Sequence, residues 1–355
     1  MKIIHRSIVK ELTLTFILCL FSLNFILMME KLLRLSRFLS GVGTSIIDMA
    51  KLILYLQPQL FLLTIPMALL LSALLIYGRL NLDSELVILR ASGMSFKNIS
   101  IPVVVLGLCC FLSNIAVSFY IGPKSVTKLR DEITNIIKVR TPLAVEEGRF
   151  NQSFRDTVIM VKEKPSESRM RGIFIYDSRS ENEPKVLMAK EGEISTQEGL
   201  QIILVLKDGC INTVKGNSIT ELFFKKYNMI LRLESDTPSR KNAELTPYEL
   251  IQQIGKKDRR RALALYLELH RRLSLPLLCV ILMFFGPPLA MMAGKSGKLG
   301  GLTLGLAVFT IYYMLLVYGE NLVRADKVPH YIGAWGPTVI LGIFALLLFR
   351  KECSR

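Results

Sequence analysis

Long stretches of this sequence lack charge altogether. The chain carries 45 basic and 29 acidic residues among 355, yet six windows, residues 12–29, 52–78, 98–123, 273–294, 299–319 and 328–349, contain no Asp, Glu, Lys or Arg. At random composition about 28 charges would fall in them. Histidine is almost missing: His5, His270 and His330 are scattered along the chain and offer no metal site, and no Ser/His/Asp or Cys/His spacing points to a nucleophile. Cysteine cannot supply a disulfide framework for the central part of the chain, because Cys210 is the lone thiol between residues 124 and 272. Ala293-Gly-Lys-Ser296 resembles the tail of a phosphate-binding loop, but position 289 is Leu where the first glycine is needed, and no strand precedes it. The chain therefore hydrolyses no nucleotide itself. The charge-free windows also lack the ionisable groups on which ion-coupled transporters rely, so any transport is driven from outside this chain.

What is present explains the absences. Half of the sequence is hydrophobic (51%) while its net charge is +16, too apolar for a nucleic-acid binder or a soluble enzyme. The conflict resolves because grease and charge occupy different segments. Runs of 18 to 27 uncharged, mainly apolar residues match the roughly 20 needed to cross a bilayer. They fall as three spans, a polar stretch over 124–272 and three more spans. The expected fold is a polytopic α-helical membrane protein of six transmembrane helices, with an antiparallel β domain inserted between helices 3 and 4. Residues 1–123 would hold spans one to three, 124–272 the domain with flanking helices, and 273–355 spans four to six with a short tail.

Basic residues in the short loops orient the spans. With the N-terminus cytoplasmic, 11 Lys and Arg lie inside and 6 outside, so both termini are expected in the cytoplasm and the domain on the far side. The first apolar run ends in Met29-Glu-Lys-Leu32 without a small-residue cleavage signature and reads as an uncleaved helix. Within the polar stretch, residues 124–138 continue span three as a charged helix. Short apolar runs follow at Thr157–Val161, Gly172–Tyr176, Lys185–Ala189, Leu200–Leu206 and Ile219–Phe224, separated by turns such as Asp177–Pro184 and Asp208-Gly209. These read as strands of a sandwich or jelly roll. From Tyr248 to Arg272 the pattern is a basic helical lead-in to span four.

The loop after span two reads Gly78-Arg-Leu-Asn-Leu-Asp-Ser-Glu-Leu-Val-Ile-Leu-Arg-Ala-Ser-Gly93. Asn81 or Asp83 can cap a short helix there, Leu82, Leu86 and Leu89 would form its apolar face, and Gly93 is placed to end it, leaving Glu85 exposed. Just outside span one, Lys31, Arg34 and Arg37 recur every three residues and fan over about 120° of a helix. They suit either interfacial snorkelling or contact with an anionic headgroup, Arg being fitted to bidentate phosphate binding. Gly301 and Gly305 in span five form a small-xxx-small face for close helix approach, and Pro66 and Pro287-Pro288 are expected to kink spans two and four.

The layout of three spans, a β domain and three spans, with Ser84-Glu-Leu-Val-Ile-Leu-Arg-Ala-Ser-Gly93 after span two and Glu268-Leu-His-Arg-Arg-Leu-Ser-Leu-Pro276 entering span four, resembles the lipopolysaccharide-export permease family LptF/LptG over essentially the whole chain. Lys31–Leu39 and Gly78-Arg-Leu80 place it nearer the LptF branch. The resemblance implies an inner-membrane permease whose periplasmic domain is a jelly roll and whose partners are an LptG-like second permease, an LptB-like ATPase dimer and an LptC-like bridge protein. Asp83, Ser84, Glu85, Arg90 and Gly93 would form the segment coupled to the ATPase; Lys31, Arg34 and Arg37 would meet lipid A phosphates of lipopolysaccharide. Gly301 and Gly305 would pack at a lateral gate, or against a neighbour within this chain. ATP and Mg would be used by the partner, with no cofactor bound here. An LptG-type subunit, and a membrane-anchored β-domain scaffold without transport, are the other readings.

Overall fold

A computed structural model describes residues 2–39, 45–144, 147–154, 157–166, 169–178, 185–197, 201–215, 218–231, 241–254, 259–292 and 297–354. Helices α1 (Lys2–Leu39), α2 (Ile46–Leu82), α3 (Glu85–Ala91) and α4 (Phe96–Ala116) are followed by a π-helical turn, Val117–Ile121, and by α5 (Gly122–Ala144). Six strands come next: β1 (Phe150–Phe154), β2 (Thr157–Glu163), β3 (Arg169–Asp177), β4 (Lys185–Gln197), β5 (Gln201–Lys215) and β6 (Ser218–Leu231). Helices α6 (Lys241–Glu244), α7 (Pro247–Ile254), α8 (Arg259–Met292), α9 (Gly297–Arg324) and α10 (His330–Ser354) complete the chain. Six helical stretches are long and apolar enough to cross a membrane: Ile4–Ser36, Ile46–Leu82, Phe96–Ile136, Ala262–Met292, Gly300–Arg324 and His330–Ser354. The expected segments Arg179–Pro184, Leu200 and Ala293–Ser296 lie outside the described residues.

Two compact units emerge, Met1–Met28 with Leu56–Thr127 and Ser239–Arg355, and Met29–Tyr55 with Lys128–Pro238. Residues 29–55 fall in the β unit, and 124–127 and 239–272 in the helical one. In the helical unit α2 and α8 are central, with 72% and 67% of their most apolar windows buried against 11% for α1. Their core, including Leu70, Leu74, Tyr77, Leu278, Leu282 and Phe285, also receives Ile8 and Leu12 from α1 and Leu86 from α3. Lipid tails are as apolar as leucine, so burial alone does not drive such helices together; close backbone approach does. Glycines supply it, with Gly286 facing Ala73 and Gly319 set directly against the backbone of Gly333. Both α2 and α8 run unbroken through Pro66 and Pro287-Pro288.

The second unit contains an antiparallel sheet in the order β1-β2-β3-β4-β5-β6. Among the described strands this is one meander, in which each strand pairs with the next in sequence. Alternation of apolar residues reveals a buried face but not which strand is the neighbour. The sheet nevertheless bends. One register row joins Ile173, Ala189, Gly209 and Phe224, and another, three positions away, joins Met170, Gly192, Leu206 and Tyr227. In a regular strand, residues three apart point to opposite faces, yet Met170 and Ile173 are both buried and the rings of Phe224 and Tyr227 meet at 5.5 Å. Positive φ at Gly172 and Asp208 lies between the two rows. The row between them that contains Gly172, Lys190, Asp208 and Lys225 is unpaired although the register is the same on either side, so the sheet creases along a line that crosses four strands without a bulge.

Candidate functional site

Helix α3 is bracketed by two sharp backbone features. Ser84, at its N-cap, is left-handed (φ 59°) and makes no side-chain cap, while its carbonyl accepts from the N–H groups of Val87 and Ile88 at 3.1 Å. The expected caps are absent: α2 continues through Asn81 to Leu82, and the Asp83 N–H donates back to the Arg79 carbonyl at 2.9 Å. Leu82 thus belongs to α2, and the inward face of α3 is made by Leu86, which is buried, with Leu89 and Arg90 half-buried. The C-terminus closes as expected on Gly93, whose φ of +89° lets its N–H reach Arg90 O (3.0 Å) and the Met94 N–H reach Leu89 O (3.1 Å). That pair of bonds is a Schellman motif, which a glycine after the C-cap permits without steric cost.

The outward face of α3 carries Glu85, Val87, Ile88 and Ala91, all exposed, with Val87 and Ile88 at 62% and 65%. Glu85 opens the helix, where a carboxylate meets the positive end of the helix dipole. Asp83 and Ser84 are exposed beside it. Arg90, grouped with these residues in the sequence, points the other way. Its Nη2 lies 3.3 Å from Glu352 Oε2, and its guanidinium sits 5.1 Å from the Phe96 ring centroid. Sequence reasoning missed Glu352; the available signal was that it is the only acidic residue after Asp326.

In the β unit, α1 continues through Lys31 and Arg34 to Leu39, so these cations extend the first apolar helix. Lys31 is half-buried and Arg34 exposed; the Arg37 side chain lies outside the described residues. Arg34 donates to Glu30 at 3.0 Å one turn away. Exposed pairs of this spacing are worth about 0.3–0.5 kcal/mol, less than a bidentate phosphate contact, so Arg34 can exchange Glu30 for an anion. In the same unit Lys51 is tied to Glu132 at 3.0 Å.

Gly301 and Gly305 are both buried in the helical unit against α2 of this chain. A Cβ at Gly305 would lie 2.6 Å from Leu74 Cδ1 and 2.8 Å from Leu71 Cδ2. The opposite face of α9, with Leu306, Met314 and Tyr318, is exposed. His270 and His330, distant in sequence, are neighbours in the fold: His270 Nε2 lies 2.9 Å from His330 Nδ1, and the Trp335 indole donates to His270 Nδ1 at 3.1 Å. Their nitrogens thus hydrogen-bond one another and an indole. Among the described residues no group of three or more His, Cys, Asp or Glu is arranged to hold a metal.

Comparison with known proteins agrees with this architecture. Residues 6–351 match the family described as lipopolysaccharide export system permease LptF/LptG. The lipopolysaccharide export system permease protein LptF of Escherichia coli K12 is 21% identical over an alignment covering 98% of this chain and 94% of that protein, and LptF of Shigella flexneri aligns equally. An uncharacterized protein of Rickettsia prowazekii is 25% identical over 78% of each chain. With six candidate spans, an antiparallel sheet domain between the third and fourth, and a family match over nearly its whole length, the chain belongs to the lipopolysaccharide export permease family LptF/LptG.

Proposed function

We propose that this chain is the LptF-type permease subunit of an ABC-type lipopolysaccharide exporter, working beside an LptG-like permease, an LptB-like ATPase dimer and an LptC-like bridge. Both termini face the cytoplasm and the creased sheet faces the periplasm. Lipopolysaccharide leaves the outer leaflet of the inner membrane through a cavity lined by the two permeases, with Lys31, Arg34 and Arg37 receiving its phosphates, and its acyl chains pass along the β domain. In this reading α9 presents its exposed face at the lateral gate, with Gly301 and Gly305 holding it onto α2. ATP hydrolysis occurs in the partner; this chain supplies the path and the mechanical link.

The observation that carries the reading is the outward face of α3. Val87 and Ile88 expose branched apolar side chains beside the Glu85 carboxylate, on a short helix held between two left-handed residues. An apolar pair flanked by one charge fits a protein groove bearing a cation. Affinity purification from native membranes tests this, with recovery of a nucleotide-binding subunit expected. Glu85→Lys should reduce that recovery or the coupled turnover at least about fivefold. Normal export by the variant would refute the coupling role, and recovery of no ATPase by the unaltered chain would favour an anchored scaffold.

A further inference from the structure

Helix α3 has seven residues, about two turns, too short to hold its own orientation. Its chain connections pass through the positive-φ residues Ser84 and Gly93. What fixes it is on its inner side. There Arg90 Nη2 reaches Glu352 Oε2 at 3.3 Å, the Glu352 carbonyl at 3.4 Å and Met291 Sδ at 3.7 Å. The Glu352 side chain is 6% exposed. Phe349, one turn earlier on α10, packs on Phe96 (5.5 Å) and Phe284 (5.3 Å), and Phe96 in turn receives the Arg90 guanidinium. The last turns of α8 and α10 and the start of α4 therefore converge on one side chain of α3.

Resting on the exporter reading above, we propose that the Arg90–Glu352 pair is a strap that makes the C-terminal turn of α10 part of the coupling element. A displacement of the outer face of α3 reaches span six directly through this pair. Without it, the same displacement would reach the bundle only through the apolar contacts of Leu86 and Leu89 and the connections to α2 and α4 at Ser84 and Gly93, and not the end of α10. A paired charge in a nearly dry setting suits this role, because a buried ion pair fixes orientation more than it adds stability. Arg90 and Glu352 are positioning residues and touch no substrate.

Two measurements test the strap. In the full-length chain with its native cysteines replaced, spin labels at Val87→Cys and Lys351→Cys should give a narrow distance distribution that broadens in Glu352→Gln and narrows again in the swap Arg90→Glu/Glu352→Arg. In the reconstituted complex, Glu352→Gln should leave copurification of the ATPase intact but lower lipid released per ATP hydrolysed at least about fivefold, with the swap recovering at least half. A distribution that stays narrow in Glu352→Gln overturns the strap. A broadened distribution with an unchanged lipid-to-ATP ratio overturns its coupling role. If the unaltered chain recovers no nucleotide-binding subunit, the exporter reading fails and the coupling role with it, while the distance measurement still decides whether the strap exists.

Discussion

Arg272 offers the sharpest test of how the fold is held. It is 5% exposed and stands directly before the charge-free window of span four. Its guanidinium donates to the carbonyls of Leu245 (2.6 Å), Ala243 (2.9 Å) and Asn242 (3.3 Å) and to Glu268 Oε1 (3.2 Å). Those carbonyls close the four-residue helix α6, whose C-terminal oxygens have no partner within so short a helix. Meanwhile the Ser118 hydroxyl in the π-helical turn donates to the Arg272 carbonyl at 2.9 Å. One residue thus fastens α6 and the turn after α4 to the start of span four. Each hydrogen bond from a charged donor contributes about 1.5–3 kcal/mol, but they are not additive, because the carbonyls can turn to water once the connector loosens. Removing one partner of a buried pair costs about 3–5 kcal/mol. Taking the lower figure, Arg272→Met should raise amide hydrogen exchange over residues 242–254 by about 150-fold, measured by mass spectrometry on the full chain in detergent with α10 as the internal reference. Arg272→Lys should fall between, since an ammonium cannot span three carbonyls and a carboxylate at once. Exchange over 242–254 within threefold of the unaltered protein in Arg272→Met would refute the fastening role.

Gly319→Ala would set a Cβ against the Gly333 carbonyl, which is backbone and cannot step aside. It should cost about 1–3 kcal/mol and lower the unfolding midpoint in detergent, whereas Gly336→Ala, with nothing within 4 Å, should not; equal midpoints would show that α9 and α10 do not depend on this contact. Glu249 caps α7 by accepting from the Thr246 N–H (2.7 Å) and hydroxyl (2.9 Å), and those bonds hold its carboxyl below the usual value of 4.5. A depressed pKa means that the cap's contribution is present above that value and fades as pH falls through the lower folded-state pKa. Amide exchange in α7 should therefore accelerate on acidification in the native chain, and Glu249→Gln should remove that dependence. Replacing Lys31, Arg34 and Arg37 together with Gln should weaken photocrosslinking to lipopolysaccharide, while unchanged crosslinking and export would leave them as interfacial anchors.

Features set by the burial of single residues were legible in one dimension. A charge inside a bilayer carries a large desolvation cost whatever its neighbours, so the charge-free windows located six spans without knowledge of packing. Gly93 was legible for a similar reason, because a helix ending on a left-handed residue restricts the residue type locally. Pairings between distant residues were not. The alternation that exposed the strands is silent about the crease, which follows one unpaired row shared by four strands. Nothing in the spacing of His270 and His330 foretold their contact. The arginines between the windows show the distinction most clearly. In sequence Arg79 and Arg90 count toward topology, and Arg272 reads as part of a basic lead-in. In the fold Arg79 meets Glu11, Arg90 meets Glu352 and Arg272 meets Glu268, the first two across 68 and 262 residues. The desolvation that clears charge from the span interiors leaves the half-dry margins as the places where a paired charge most strongly dictates orientation. Both sequence segments that carried the family resemblance contain such an arginine, Arg90 in one and Arg272 in the other. Each fastens helices to one another: Arg90 joins α3 to the end of α10, and Arg272 joins α6 and the turn after α4 to the start of span four.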